Sequence, residues 1–254
     1  MRHGGRDDLI YGIHAVAETL KAGRRSVRSL LVVKKSSSTS KRIESILETA
    51  AVRGIPVRWV EGGEMARKFP DREDQGVAAL ASPYPYCSLD EVLEGPVPRL
   101  VVALDEVQDP QNLGAVARLA AAFGADGIVT HRERSAPLSP AAVKASAGMT
   151  EHLRIASVSN LAEAVRRAKR EGLWVIGLDA GAPRSLYHEK MEQDMMVVFG
   201  SEGSGLRRLT AELCDGLVSI PMSPVCESLN VSTAAAVVLA EAARQRARTG
   251  QAKD

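Results

Sequence analysis

The pattern of hydrophobic and polar positions in this 254-residue chain changes near residue 100. Before that point, short apolar runs sit between charged helical stretches. Residues 10–20 place Ile13, Val16, Ala17 and Leu20 on one face of a helix. Leu30, Leu31, Val32 and Val33 predict a strand. Residues 36–40 predict a polar loop, and 41–53 a second helix stopped by Gly54. Further strands are expected at 56–60 and 75–80. Together these form a compact α/β module over residues 1–80. Pro83, Pro85, Gly95, Pro96 and Pro98 mark residues 81–98 as a linker that includes a short helical turn.

From Leu100 onward, apolar runs alternate with helical patterns. Strands are expected at 100–104, 127–130, 152–156, 173–178, 195–199 and 217–220. Helices are expected at 112–123, 140–147, 160–171, 205–213 and 230–247. Strands alternating with helices specify a mostly parallel sheet with helices on both faces, here over residues 99–254. No internal repeat or low-complexity tract is visible.

Composition narrows the class. An apolar fraction of 45% with only 4% aromatic residues fits an Ala/Val/Leu-rich α/β protein. No apolar run reaches the roughly 18–20 residues of a membrane helix. The charged residues 1–8 lack an apolar h-region, so no secretory signal and a cytoplasmic location are expected. Cys87, Cys214 and Cys226 are widely spaced and form no CxxC pair, which suits reduced thiols. The five histidines show no ligand spacing, so no metal site is expected. The overall charge of +2 is uneven: residues 1–80 carry 15 Lys/Arg against 10 Asp/Glu, the rest 18 against 21. The basic front part suits a polyanion such as RNA, or is simply a solvated surface.

Candidate chemistry lies in three strand–loop–helix turns. The first, Asp105 to Arg118, reads DEVQDPQNLGAVAR; Asn112 can cap its helix, and Arg118 stands among apolar neighbours, where it needs a partner or an anionic ligand. The second, Phe199 to Leu206, has three glycines between positions 200 and 205. Its order is GxxGxG rather than GxGxxG, no GK[ST] follows, and Glu202 inside it would repel a pyrophosphate. It suits a neutral or cationic ligand, unless Glu202 merely caps the next helix. The third runs from Ile220 through Ser228-Leu229-Asn230-Val231-Ser232 into an Ala-rich run, and ordinary capping by Asn230 or Ser232 is its plain reading. Cys226 has no histidine near it in sequence and reads as a filler rather than a nucleophile.

Taken in order, DEVQDPQNLGAVAR (105–118), VVFGSEGSGL (197–206) and IPMSPVCESLNVSTAAA (220–236) resemble the three motifs of the SpoU/TrmH (SPOUT) family of RNA ribose 2′-O-methyltransferases. Residues 7–20 and 74–80 resemble the small substrate-binding domain of its 23S rRNA guanosine 2′-O-methyltransferases, the RlmB type. The resemblance covers nearly the whole chain. It implies an α/β fold with a C-terminal trefoil knot, S-adenosylmethionine (S-adenosyl-L-methionine) as cofactor, a guanosine of 23S rRNA as substrate and a homodimer, with no membrane and no metal; the alternatives are 2′-O-methylation of tRNA or another rRNA nucleotide, or a non-catalytic RNA-binding role in ribosome assembly. It implies catalytic roles for Asn112, Arg118, Glu202, Ser228 and Asn230. It implies cofactor contacts from the backbone of Gly200, Ile220 and Leu229. One departure stands out: the third motif has Pro224 and Cys226 where the family usually has Gly and Val. Proline has no N–H to donate there.

The implied reaction is attack of a ribose hydroxyl on a sulfonium methyl, which needs in-line positioning and stabilisation of charge on oxygen. A guanidinium stays protonated, so Arg118 is expected to grip a phosphate and stabilise the alkoxide rather than serve as a standing base. Asn112, Ser228 and Asn230 are expected to orient the ribose and Arg118, and Glu202 to hold Arg118 or its loop. With few aromatics for stacking, RNA contacts from the front module are expected to be ionic, from Arg24, Arg25, Arg28, Lys34, Lys35 and Lys41. The alanines of the last helix suit close packing, at a dimer interface or within one subunit.

Overall fold

In the computed structural model, residues 7–34, 40–69 and 75–248 are described. The polar loop expected at 36–40 and the candidate RNA contact Lys35 fall outside them, except for Ser40. The chain forms two compact units. One comprises residues 1–85 together with 138–152, the other 86–137 with 153–254.

The first unit is built from strand β1 (Asp8–Tyr11), helix α1 (Ile13–Ala22), β2 (Val27–Val33), α2 (Lys41–Val52), β3 (Val57–Val60), α3 (Gly62–Lys68) and β4 (Val77–Ala81). The sheet order is β1-β4-β2-β3, with β2 and β3 parallel and the other pairs antiparallel. On one face Ile10, Leu30, Val32, Val77 and Ala79 pack against Val16 and Leu20 of α1 and Ile43 and Ile46 of α2. On the other, Tyr11, Leu31, Val60 and Ala78 pack with Met65 and Phe69. The residues expected as one helix from position 10 are a strand and a helix. Ile10 pairs with Ala79, and Gly12, at φ +97°, turns the chain before α1 begins.

Residues 138–152, expected within the larger domain, pack with this unit. Helix α6 (Pro140–Ala145) adds Val143 to the core beneath α1. A 3₁₀ turn at Met149–His152 brings Glu151, 1% exposed, against Arg25. Arg25 Nε donates to Glu151 Oε1 at 2.9 Å and Arg25 Nη1 to Asp8 Oδ2 at 2.6 Å. Arg25 is therefore a buried structural cation, which corrects the expectation that it faces RNA. Arg28 is paired with Asp7 and Lys34 with Glu61, both at the surface.

The second unit contains α4 (Leu89–Leu93), β5 (Leu100–Leu104), α5 (Pro110–Ala122), β6 (Gly127–His131), β7 (Arg154–Val158), α7 (Leu161–Arg170), β8 (Trp174–Leu178), β9 (Met195–Phe199), α8 (Arg208–Leu213), β10 (Gly216–Val218) and α9 (Val231–Arg248). Its six strands are all parallel, in the order β10-β8-β9-β5-β6-β7. Every residue of β5, β6 and β9 is buried, so both sheet faces are covered. That burial is why these strands read as unbroken apolar runs rather than as alternating ones. Helices α4 and α7 cover one face through Val92, Leu161, Val165 and Ala168, while α5 and α9 pack on each other. The strand order turns at β5, which has β6 on one side and β9 on the other. Loops at the carboxyl ends of strands beside such a switch point form the usual ligand crevice of open parallel sheets.

Candidate active site

The first two loops are tied at their roots. Asp105, directly after β5, is fully buried and donates its N–H to Phe199 O at 2.8 Å. Its carboxylate accepts from Arg207 N at 3.0 Å and Arg207 Nε at 2.6 Å. That anchoring keeps the loop extended through Arg207, so α8 starts at Arg208 rather than at the expected 205. Between the two anchors the glycine loop doubles back on itself: Ser201 N–H donates to Gly205 O at 3.1 Å and Gly205 N–H to Ser201 O at 3.0 Å. A Cβ at Gly200 would lie 2.1 Å from Gly205 C and 2.4 Å from Leu206 N. Only glycine fits this close backbone approach.

Asn112 sits in the first turn of α5, which Asp109 caps through Gln111 N at 2.9 Å and Pro110 opens. Asn112 is buried; its Nδ2 donates to Glu202 Oε1 at 2.9 Å, and its Oδ1 accepts from Asn230 Nδ2 at 3.0 Å. Asn230 Nδ2 donates to Glu202 Oε1 as well. Residues from all three loops thus close one hydrogen-bonded set. Asn230 also caps α9: its Oδ1 accepts from Ser232 N at 2.8 Å and Ser232 Oγ at 2.6 Å. The capping reading of this residue holds for its Oδ1, while its Nδ2 is the end that joins Asn112 and Glu202.

Beside this set lies a cavity of about 510 Å³ at the carboxyl ends of β8, β9 and β10. All three expected cofactor positions, Gly200, Ile220 and Leu229, line it, together with Glu202, Ser228 and Asn230. Asp179, just after β8, lines it too and was not singled out from the sequence. Its place at the carboxyl end of a central strand was the available signal. A second cavity, of about 350 Å³, adjoins through Ser201, Glu202, Ser204 and Val231, and Asn112 lines it. Arg118 lines neither. It is exposed on α5, about 9 Å along the axis from Asn112 and on a different face, and no carboxylate of the described residues pairs with it.

Pro224 occupies a turn closed by Cys226 N donating to Ser223 O at 2.9 Å. It is the second residue of that turn, where a fixed φ helps and a missing N–H is not required. Neither Pro224 nor Cys226 lines the cavity, and the Cys226 thiol lies 3.3 Å from Ser228 O.

Residues 99–240 match the SpoU rRNA Methylase family, and residues 9–87 match the RNA 2′-O ribose methyltransferase substrate-binding domain. The chain belongs to the SpoU methylase family. A 23S rRNA (guanosine-2′-O-)-methyltransferase RlmB from Pseudomonas putida is 38% identical over 94% of this chain and 97% of its own. A tRNA/rRNA methyltransferase from Mycolicibacterium gilvum is 39% identical over 96% of this chain and 79% of its own. The SpoU methyltransferase AviRb from Streptomyces viridochromogenes, crystallised with AdoMet, superposes with a TM-score of 0.81 at 25% identity, covering 96% of this chain and 92% of its own.

As a SpoU methylase the chain is an RNA 2′-O-methyltransferase that uses S-adenosylmethionine. The larger cavity fits that cofactor. Its volume falls in the range of about 300–1,000 Å³ usual for small-molecule sites. Phe199, Ile220 and Leu229 offer apolar walls, and the glycine loop offers close backbone. Asp179 and Glu202 contribute carboxylates and no cationic side chain of the described residues lines it, which suits a sulfonium bearing an ammonium group and not a pyrophosphate. No helix of the described residues is long and apolar enough to cross a membrane, and no group of three His, Cys, Asp or Glu among them is placed to hold a metal.

Proposed function

We propose that this enzyme methylates the ribose 2′-hydroxyl of a guanosine in 23S rRNA. The observation that carries the reading is the Asn112–Glu202–Asn230 set standing between two adjoining cavities. The larger fits the methyl donor, and the smaller is where an acceptor ribose can meet it. Support for the particular RNA comes from the RlmB relative, matched along almost its whole length.

In this reading Gly200, Ile220 and Leu229 present backbone to the cofactor, which supplies an activated methyl group. Asn112, Ser228 and Asn230 orient the acceptor ribose, and Glu202 holds the two amides in register. Arg118, exposed and with no carboxylate partner among the described residues, lies outside both cavities of its own subunit, so it grips a phosphate of the bound RNA and meets the ribose oxygen from the partner copy of the homodimer. The enzyme works in the cytoplasm as a homodimer, with the knotted C-terminal part that family membership implies. Ala234 and Ala235 of α9 are buried within the subunit, while Ala236, Ala240 and Ala243 remain part-exposed for a second copy.

The test is transfer of labelled methyl groups to unmodified 23S rRNA, with mapping of the modified ribose. A single modified guanosine is expected. Methylation of tRNA with 23S rRNA left untouched would overturn the RNA assignment.

A further inference from the structure

The first unit carries a groove that methyl transfer leaves unused. It lies between α1 and α2 and has a volume of about 450 Å³. Its floor is apolar, with Leu20 and Ile46 buried and Ile13 and Ala17 beside them. Its rim is cationic: Lys21, Arg42 and Arg53 stand there with, among the described residues, a single carboxylate, Glu18. That carboxylate is already engaged by His152 Nε2 at 2.7 Å and shared with Lys21 at 3.9 Å. Among the described residues Arg42 meets only His14, at 3.1 Å. Arg53 donates to Leu20 O at 2.5 Å, which holds its guanidinium at the groove's end. The groove therefore carries an uncompensated positive charge over a hydrophobic base. By contrast, several cations elsewhere in this unit are committed: Arg25 is buried, Arg28 is paired with Asp7, and Lys34 with Glu61.

We propose that this groove receives an unpaired nucleotide of the RNA substrate. The base lies on the apolar floor, and its flanking phosphates meet Lys21 and Arg42. A base face is apolar while its phosphates are anionic, so the two parts of the groove match the two parts of one nucleotide. Paired RNA keeps its bases stacked inside the helix and cannot present them to such a floor. Single-stranded segments can, and their binding is strongly ionic. The inference rests on the reading of this unit as the RNA-binding one. It places the contacts on α1 and α2 rather than on the cations nearest in sequence.

The experiment measures fluorescence anisotropy of the full chain with two labelled RNAs, a hairpin bearing a single-stranded loop and the same stem as a closed duplex. The Lys21→Glu/Arg42→Glu double variant is expected to weaken hairpin binding about tenfold and to flatten the salt dependence by about 1.4 log units per decade, two phosphates' worth. Ala17→Leu, which fills the floor without changing charge, is expected to weaken hairpin binding with the salt slope kept. Arg67→Glu/Lys68→Glu, on α3 over the opposite sheet face, serves as control, and S-adenosylmethionine affinity should be unchanged throughout. Wild-type hairpin binding in both groove variants overturns the inference while leaving the RNA-binding reading standing. Duplex bound as tightly as hairpin overturns the unpaired-nucleotide assignment. A wild-type chain that binds neither RNA but captures an acidic peptide overturns both.

Discussion

Gly200→Ala separates loop geometry from overall stability. Gly200 does not need glycine for its own dihedrals; the constraint is the backbone folded over it. An added Cβ would sit 2.1–2.4 Å from Gly205 C, Gly205 O and Leu206 N. A comfortable contact needs about 3.4 Å, so the loop has to move by roughly 1 Å, and no side-chain rotation relieves it. Overpacking of this kind costs about 1–3 kcal/mol. Because the loop is largely exposed, it can shift outward without disturbing β9, and melting should fall by only about 2–4 °C per kcal/mol. Seating the cofactor requires the original loop shape, so the same energy reappears as a weakening of roughly 5- to 150-fold in S-adenosylmethionine affinity. Calorimetric titration of folded protein reads this directly. Gly203→Ala is the comparison: open space surrounds that Cβ, but φ is +86°, a strain of about 1 kcal/mol. An affinity for Gly200→Ala within twofold of wild type would refute the argument, as would a larger loss from Gly203→Ala.

Asn230→Asp keeps the oxygen that caps α9 but loses the donor to Glu202 and Asn112, and adds charge beside a carboxylate. Methyl transfer should drop about 10²-fold with melting nearly unchanged, and a matching collapse of stability, with the cap kept, would show that the bonds from its amide to Asn112 and Glu202 are structural rather than catalytic. Arg118→Lys retains charge without the two-pronged grip; single-turnover methylation should fall by roughly 10²-fold, and near-normal turnover would contradict a bidentate role. Burial, with Asp215 adjacent, pushes the Cys214 thiol up to about 12, leaving roughly one part in 10⁴ as thiolate at pH 8. Iodoacetamide should therefore modify exposed Cys226 first, and Cys214 labelling should rise about tenfold per pH unit up to that value. Equal labelling of both at pH 8 in folded protein, read by peptide mass mapping, would contradict the burial argument.

Local features were legible from the order of residues alone. Leu100–Leu104 and Met195–Phe199 are apolar at every position because each strand is covered on both faces, and such runs are visible without a structure. The loop chemistry was equally visible, since three glycines around a carboxylate already excluded a pyrophosphate cradle. Strand β1 was not legible: its four residues run straight into the apolar stripe of α1, and only pairing with β4 separates the two. Nor was the burial of Arg25, whose partner Glu151 lies 126 positions away. Asn112, Glu202 and Asn230 meet because β5 and β9 are neighbours and α9 packs on α5, not because of anything in their own segments. The facing of Arg118, by contrast, follows from the helical period alone, which sends a residue six positions past Asn112 to another side of α5. Residue type and period act over a few positions and are written in the chain. Which carboxylate meets which amide is decided by strand order, which exists only once the sheet is assembled.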